Sequence, residues 1–285
     1  MVTPIPYHRP ASLPDALALA RSVPGAAFVA GGTDVIVKVR AGVLAPTALI
    51  SLRNLAELRG VTLGADGARI GAATPLSELI AHPGLREGWP LLADALRTMG
   101  GAQIRNAATL GGNLCNGSSC ADSPPALIAL GARLRIAGPW GVREVPVEDF
   151  HTSPGATVCA RDEVVTDVLL DPPTPGARGA FLRKQRVAMD LAQVSVAVWL
   201  ALEGPRVLQA RVVAGAVGPT PIRLAPVEAL LLDEPTRQSV AAAASLAAEL
   251  VRPITDIRAT ASYRRHITGV LVRRAVETCL GWRTA

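Results

Sequence analysis

Ala107-Ala-Thr-Leu-Gly-Gly-Asn-Leu-Cys-Asn-Gly-Ser-Ser-Cys-Ala-Asp-Ser-Pro-Pro-Ala126 is the stretch on which the reading of this chain turns. Adjacent glycines, small hydroxyl residues and one acid lead straight into the apolar Leu127-Ile-Ala-Leu-Gly131. Paired glycines let the backbone turn with φ > 0 and let another group approach closely, because no Cβ stands in the way. Successive free N–H groups in such a turn form a concavity suited to phosphate oxygens. The polar residues that follow have the chemistry to hold a sugar hydroxyl. Taken alone, the stretch fits an ordinary tight turn better than a phosphate site.

A second loop changes that balance. Phe28-Val-Ala-Gly-Gly-Thr-Asp34 is a short apolar strand that breaks into another glycine pair, then a hydroxyl and an acid. Neither loop has the G-x-G-x-x-G spacing of a Rossmann βαβ unit, so that dinucleotide reading fails. Two such loops could grip one extended diphosphate from both sides, or be two independent turns. The residues alone leave both open.

Outward from the loops, the chain divides into three packed units: residues 1–58, 59–175 and 176–285. A length of 285 residues is enough to bury a sizeable core. In the first unit Ser12 is placed to cap a helix, with Pro14 just inside and Leu13, Leu17 and Ala20 at helical spacing. Residues 26–30 and 48–52 read as strands, and 35–40 as a short helix. In the second, 61–63 and 69–72 read as a hairpin, 76–80, 91–99 and 126–130 as helices, and 133–137 with 142–145 as another hairpin. Asp171-Pro-Pro-Thr-Pro-Gly176 is the clearest linker. The third unit has strands at 194–202, 207–214 and 222–223 and helices at 226–232, 237–250 and 263–280. The pairs Arg264-Arg265 and Arg273-Arg274 read as solvated faces.

Composition removes several classes. With 49% hydrophobic and 18% charged residues the chain is globular, not disordered. The net charge is +6 and 27 of the 29 basic residues are arginine, but they are spread along the chain and form no nucleic-acid stripe. Aromatics at 3% are too few for a base-stacking platform. The longest apolar run, 194–202, is far short of the roughly 18 residues of a membrane span. The opening Met1-Val-Thr-Pro-Ile-Pro-Tyr-His-Arg has no apolar core of an export signal, which favours the cytoplasm. His8, His82, His151 and His266 are scattered, and no nucleophile–base pair or metal constellation stands out. No catalytic residue and no metal ligand is therefore expected in this chain.

Ala30-Gly-Gly-Thr-Asp34 together with Thr109-Leu-Gly-Gly-Asn113, nine residues before Asp122, resembles the FAD-binding medium subunit of molybdenum hydroxylases. That is the xanthine dehydrogenase and carbon monoxide dehydrogenase family. Tyr7-His-Arg-Pro10, Gln103-Ile-Arg-Asn106, Asp162-Glu-Val-Val-Thr166 and Asp256-Ile-Arg-Ala-Thr-Ala-Ser-Tyr-Arg-Arg265 resemble further family segments in order, so the likeness spans nearly the whole chain. It implies an α+β fold: a two-part FAD-binding domain of the vanillyl-alcohol oxidase/PCMH type, then a C-terminal α/β domain of the carbon monoxide dehydrogenase flavoprotein type.

The resemblance also implies the site. Backbone amides of residues 31–34 and 109–113 would hold the FAD pyrophosphate, flanked by Val29, Ala30, Met99, Ala108 and Leu110. Thus Gly31, Gly32, Thr33, Asp34, Thr109, Gly111, Gly112 and Asn113 form the phosphate grip. Asp122 would accept from a ribose hydroxyl, and Val164 and Val165 would pack near the flavin. The family carries a lysine close to the flavin. Here Phe181-Leu-Arg-Lys184 puts Arg183 or Leu182 in that slot with Lys184 beside it, leaving the identity of the cation open. Implied partners are a large subunit with a molybdenum cofactor and a small subunit with two 2Fe–2S clusters, in a dimer of heterotrimers. NAD or another acceptor would take the electrons.

Cys115 and Cys120 have C-x₄-C spacing, the first half of a plant-type iron–sulfur set, but Ser123 stands where the third ligand would fall. The flavin subunit of 4-hydroxybenzoyl-CoA reductase, a relative in the same family, carries its cluster on a Cys-containing insertion that this chain lacks. The plain reading is four thiols in a reducing compartment. Three alternatives stay in view: a 4-hydroxybenzoyl-CoA reductase-like flavin subunit, a self-sufficient FAD oxidase, and a colourless polyanion binder.

Overall fold

The protein is described by a computed structural model covering residues 4–282. Met1 to Thr3, which open the stretch read for an export signal, lie outside the described residues, as do residues 283–285. Strand β1 (Tyr7–His8), helix α1 (Leu13–Ser22), β2 (Ala27–Val29), α2 (Val35–Arg40) and β3 (Leu49–Ser51) form the first unit. Its small parallel sheet runs β1-β3-β2. Ser12 Oγ accepts from the Asp15 amide, Pro14 occupies the first turn, and α1 stops at Val23, as the sequence predicts. Strand β1 escapes sequence reading because it is two residues long. Ile50, Leu52, Leu55 and Leu58 make this unit's core together with Ala73 and Val164, which come from the next unit.

The second unit adds β4 (Val61–Gly64), β5 (Gly67–Gly71), α3 (Leu76–Ala81), α4 (Pro83–Gly88), α5 (Pro90–Arg97), α6 (Ala102–Ala107), α7 (Leu110–Cys115) and α8 (Ser123–Ala129). Then come β6 (Arg133–Gly138), β7 (Gly141–Pro146), β8 (His151–Ser153), β9 (Ala156–Thr157) and β10 (Val164–Leu170). The antiparallel sheet β4-β5-β10-β6-β7 contains both expected hairpins, and β10 is its central strand. The expected helix at 91–99 ends at Arg97, leaving Met99 beyond it.

One expectation is corrected outright. The second glycine pair is not a φ > 0 turn, because Gly111 and Gly112 lie inside the first turn of α7 with helical backbone. Thr109 caps that helix, its Oγ1 accepting from Gly112 N at 3.1 Å. A short helix holding two glycines has little intrinsic propensity, so it forms only because the surrounding fold supports it.

The third unit is the antiparallel sheet β11 (Ala177–Lys184), β12 (Val194–Glu203), β13 (Arg206–Gly215) and β14 (Ile222–Arg223), with α9 (Ala225–Ala229), α10 (Arg237–Leu250) and α11 (Ala261–Leu280). Alternation along β12 is clean. Val194, Val196, Val198 and Leu200 face α10 and α11, whereas Ala197 faces the second unit's core alongside Phe181 and Val213. Arg264 corrects the reading of its pair as a solvated face. Only Arg265 is exposed, while Arg264 is buried and donates to Gln193 O at 2.6 Å, Ala216 O at 3.1 Å and Asp256 Oδ1 at 2.7 Å. Among the described residues no helix is long and apolar enough to cross a membrane.

Candidate functional site

The two glycine loops meet. Strand β2 delivers residues 30–34 at the end of the parallel sheet, where Gly32 takes φ +77°. Gly31 lies against the second loop so tightly that a Cβ there would stand 2.0 Å from Ala107 O and 2.9 Å from Ala108 Cα. The loops are therefore stacked backbone on backbone, not independent turns.

Their donors differ. The N–H groups of Gly31, Gly32, Thr33 and Asp34 have no hydrogen-bond partner among the described residues. In the second loop Leu110 N donates to Thr74 O at 3.4 Å, Gly111 N to Ala72 O at 2.8 Å and Asn113 N to Thr109 O at 3.0 Å. With Gly112 N bound to Thr109 Oγ1, only the Thr109 amide is left over. The expectation that both loops offer a row of free amides is thus corrected. The start of α7 spends its donors on the segment at 72–74, and the first loop supplies the concavity.

Both loops open on a cavity of about 910 Å³ running between the first two units and the edge of the third. Ala30, Gly31, Gly32, Thr33, Asp34, Met99, Ala108, Thr109, Gly111, Gly112, Asn113, Asp122, Val164, Val165 and Arg183 line it. Three of the expected residues do not. Val29 and Leu110 are buried beneath the loops, and Lys184 is exposed at the end of β11. Lys38, Cys159, Arg161, Glu163 and Met189 also line the cavity and were missed. Lys38 follows from the first loop, one turn into α2. The others are brought in by long-range folding that no local pattern announces.

Asp122 sits just before α8, at the helix N-cap, yet makes no capping bond. Its Oδ2 accepts from Arg183 Nη1 in a pair whose side chains are 7% and 5% exposed. Arg183 is fully engaged, with Nη2 on Asp190 O at 2.6 Å and Nε on Gln185 Oε1. Burial pushes the Asp122 carboxyl up to about 6, against the pull of Arg183. Its Oδ1 is buried with no hydrogen-bond partner. A buried acceptor without a partner is costly unless a donor completes it, and the Thr98 side chain also helps to hold this carboxyl's pKa down. At the far wall Arg143 clasps Glu163 through Nε at 2.9 Å and Nη2 at 2.7 Å, holding that carboxyl below its ordinary range.

This arrangement has counterparts in known proteins. Residues 3–173 match the family described as FAD binding domain in molybdopterin dehydrogenase, and residues 180–279 match the CO dehydrogenase flavoprotein C-terminal domain. A xanthine dehydrogenase FAD-binding subunit of Escherichia coli O157:H7 is 35% identical over 275 residues, 95% of this chain and 94% of that one. The carbon monoxide dehydrogenase medium chain of Hydrogenophaga pseudoflava is 30% identical over 273 residues, 95% of each. A solved carbon monoxide dehydrogenase from that organism overlays with a TM-score of 0.96 at 31% identity, covering 99% of both chains. With two ordered domain matches and whole-length relatives, the chain belongs to the family of FAD-binding medium subunits of molybdenum hydroxylases and is an FAD-dependent oxidoreductase subunit.

Proposed function

We propose that one FAD lies extended along the cavity, with its phosphates on the free amides of Gly31, Gly32, Thr33 and Asp34. The observation that carries this is the juxtaposition of four unpartnered amides and the Asp122 carboxyl on one cavity. Its volume lies within the range of small-molecule and cofactor sites. Thr109, Gly111, Gly112 and Asn113 close the opposite side, and Thr109 adds its own amide. Asp122 accepts from a ribose hydroxyl. Ala30, Met99, Ala108, Val164 and Val165 supply apolar wall, while Val29 and Leu110 support the loops from below. Arg183 acts on the cofactor through Asp122, and Lys184 stays outside.

In this reading the chain is the medium subunit of a complex with a large molybdenum-cofactor subunit and a small subunit carrying two 2Fe–2S clusters, a dimer of heterotrimers in the cytoplasm. Support comes from the whole-length likeness to medium chains and from four unpaired cysteines. Bound FAD supplies a carrier that accepts electrons from the iron–sulfur clusters and hands them on to NAD or another acceptor. The protein's part is to bind and orient that carrier. The three units at 1–58, 59–175 and 176–285 divide this work, each sheet falling within one of them. The two matched regions are those of flavin subunits, an FAD-binding domain in molybdopterin dehydrogenase and a CO dehydrogenase flavoprotein C-terminal domain, which favours this reading over a self-sufficient oxidase.

The test is an absorption spectrum of the purified chain and of the reconstituted complex, after loading with FAD and desalting. Retained flavin bands in the complex are expected, and a complex that cannot retain FAD would refute the proposal. A second expectation concerns pH. The free chain's Asp122 titrates near 6, above the unfolded value of 3.8. A ribose hydroxyl donating to Oδ1 favours the carboxylate, so FAD affinity should hold above pH 6 and weaken as pH falls through it, by at most tenfold per unit. Asp122→Asn should bind FAD roughly five- to tenfold more weakly at pH 8, because a charge-assisted bond becomes a neutral one worth about 1 kcal/mol less. It should also lose that pH dependence in fluorescence titrations.

A further inference from the structure

Arg264 does not line the cavity, yet the two segments that carry the buried Asp122–Arg183 pair are joined at its guanidinium. The side chain is 3% exposed. Its Nη1 bridges Gln193 O at 2.6 Å and Ala216 O at 3.1 Å, and its Nη2 holds Asp256 Oδ1 at 2.7 Å. From Gln193 one arm reaches back to β11. Gln193 N donates to Lys184 O at 2.8 Å, which fixes the end of the strand beside Arg183. The other arm starts at Ala216, whose N donates to Ser119 O at 2.8 Å. Ser119 lies in the turn where Ala121 N donates to Ser118 O at 3.1 Å, and Asp122 follows directly.

The second arm is strained. Ala216 has φ +61°, in the left-handed region that favours glycine. Such a conformation persists only where its surroundings hold it, and here a bond lies on either side: the donation to Ser119 O and the acceptance from Arg264. Loss of Arg264 removes one of the two.

We infer that Arg264 is a positioning residue for the cofactor, setting the Asp122 carboxyl and Arg183 against each other through Ala216 and Gln193. The inference rests on the reading that Asp122 accepts from FAD. Arginine suits the task because its rigid fork presents several donors at once, whereas lysine carries the same charge as a compact point. Asp256 is a steady anchor. Burial pushes its carboxyl up, but donation from Arg258 N, Arg264 and Ala259 N outweighs this and holds it at about 2. It is therefore ionised wherever Asp122 titrates.

The test compares the full native chain with Arg264→Lys. Among the described residues the charge that faces Asp122 is Arg183, with Thr98 as a neighbouring hydroxyl donor, and the substitution removes neither. In the FAD-free chain, carbon-13 carboxyl NMR follows Asp122. Its midpoint near 6 is expected to fall toward the ordinary 3.8, because the released turn lets water reach a carboxyl that burial holds up. Fluorescence titration at pH 8 is expected to show FAD binding weakened about fivefold, but less than about twofold when Arg264→Lys is added to Asp122→Asn, because the effect passes through that carboxylate. An unmoved midpoint overturns the inference. So does an equal loss of affinity in both backgrounds, which is what general loosening of the fold would give. If Arg264→Lys fails to fold, Asp256→Asn is read in the same two ways, with effects of the same sign expected and the same results overturning it. The NMR readout needs no cofactor, so the two readings separate. A native complex that retains no FAD refutes the functional reading, whereas a displaced midpoint still keeps Arg264 as the residue that sets the pair.

Discussion

Gly31→Val is expected to strip FAD from the protein while leaving the C-terminal sheet folded. A Cβ at this position would lie 2.0 Å from the Ala107 carbonyl oxygen, which is backbone and cannot swing aside as a side-chain tip can. The two loops must therefore separate. Overpacking of this kind costs about 1–3 kcal/mol in folding. The larger loss is in binding, because the four free amides of the first loop point at one place only while the loops stay stacked. A loss of about 3 kcal/mol in FAD binding corresponds to a more than hundredfold weaker complex. The flavin-to-protein ratio after desalting gives the answer, with circular dichroism confirming that the variant is folded. Gly64→Ala is the control: its Cβ would meet nothing within 4 Å and its φ is not positive, so full flavin content is expected. If Gly31→Val keeps native flavin content, the stacked-loop account fails.

The second large effect is expected at Arg183. Replacing it with methionine keeps most of the side-chain volume but leaves the Asp122 carboxylate buried with no cation. Because the carboxyl can protonate, the charge part of the cost is bounded at about 1.4 kcal/mol for each pH unit above 6, and so reaches at most about 3 kcal/mol at pH 8. The sign of the pH dependence identifies the cause. Asp122 already titrates near 6 in the folded protein against 3.8 unfolded, and loss of the guanidinium raises the folded value further. The penalty therefore grows as pH rises above 6, where the native carboxyl is ionised, and fades below 6, where both proteins carry it protonated. Urea unfolding of both proteins at pH 5 and pH 8 measures this directly. An equal deficit at the two pH values would mean that lost packing, not charge, is responsible.

The sequence made several of these features readable and hid others for physical reasons. Elements with their own local signal were placed closely: α1 by Ser12 and Pro14, α10 to the residue, and the hairpins by their turn glycines. Strand β11 was missed because its Ala177-Arg-Gly-Ala-Phe-Leu-Arg-Lys184 pattern becomes a strand only through its full-length pairing with β12. Helix α7 was hidden for a similar reason, since its glycines disfavour a helix until the 72–74 segment and Thr109 satisfy its first donors. Arg183 could be nominated but not assigned. Its ties to Asp122 and Asp190 join positions that only the folded chain brings together. The stacking of Gly31 on Ala107 is equally invisible to spacing, because two glycine pairs look alike whether they touch or not.

Helix α8 carries a consequence for anyone assembling chimeras. All seven of its residues are buried, although it begins at the Asp122 that faces the cavity. Its outer side is roofed by the C-terminal sheet: Ala216 N donates to Ser119 O at 2.8 Å, Arg211 Nη1 donates to Ala129 O, and a Cβ on Gly215 would stand 2.9 Å from Pro125 Cγ. Cutting at the proline-rich linker would lay that helix bare. The nucleotide-holding half is thus not a portable cassette. It must be transplanted with its C-terminal sheet, and a fragment ending at the linker would be a sticky, aggregation-prone product.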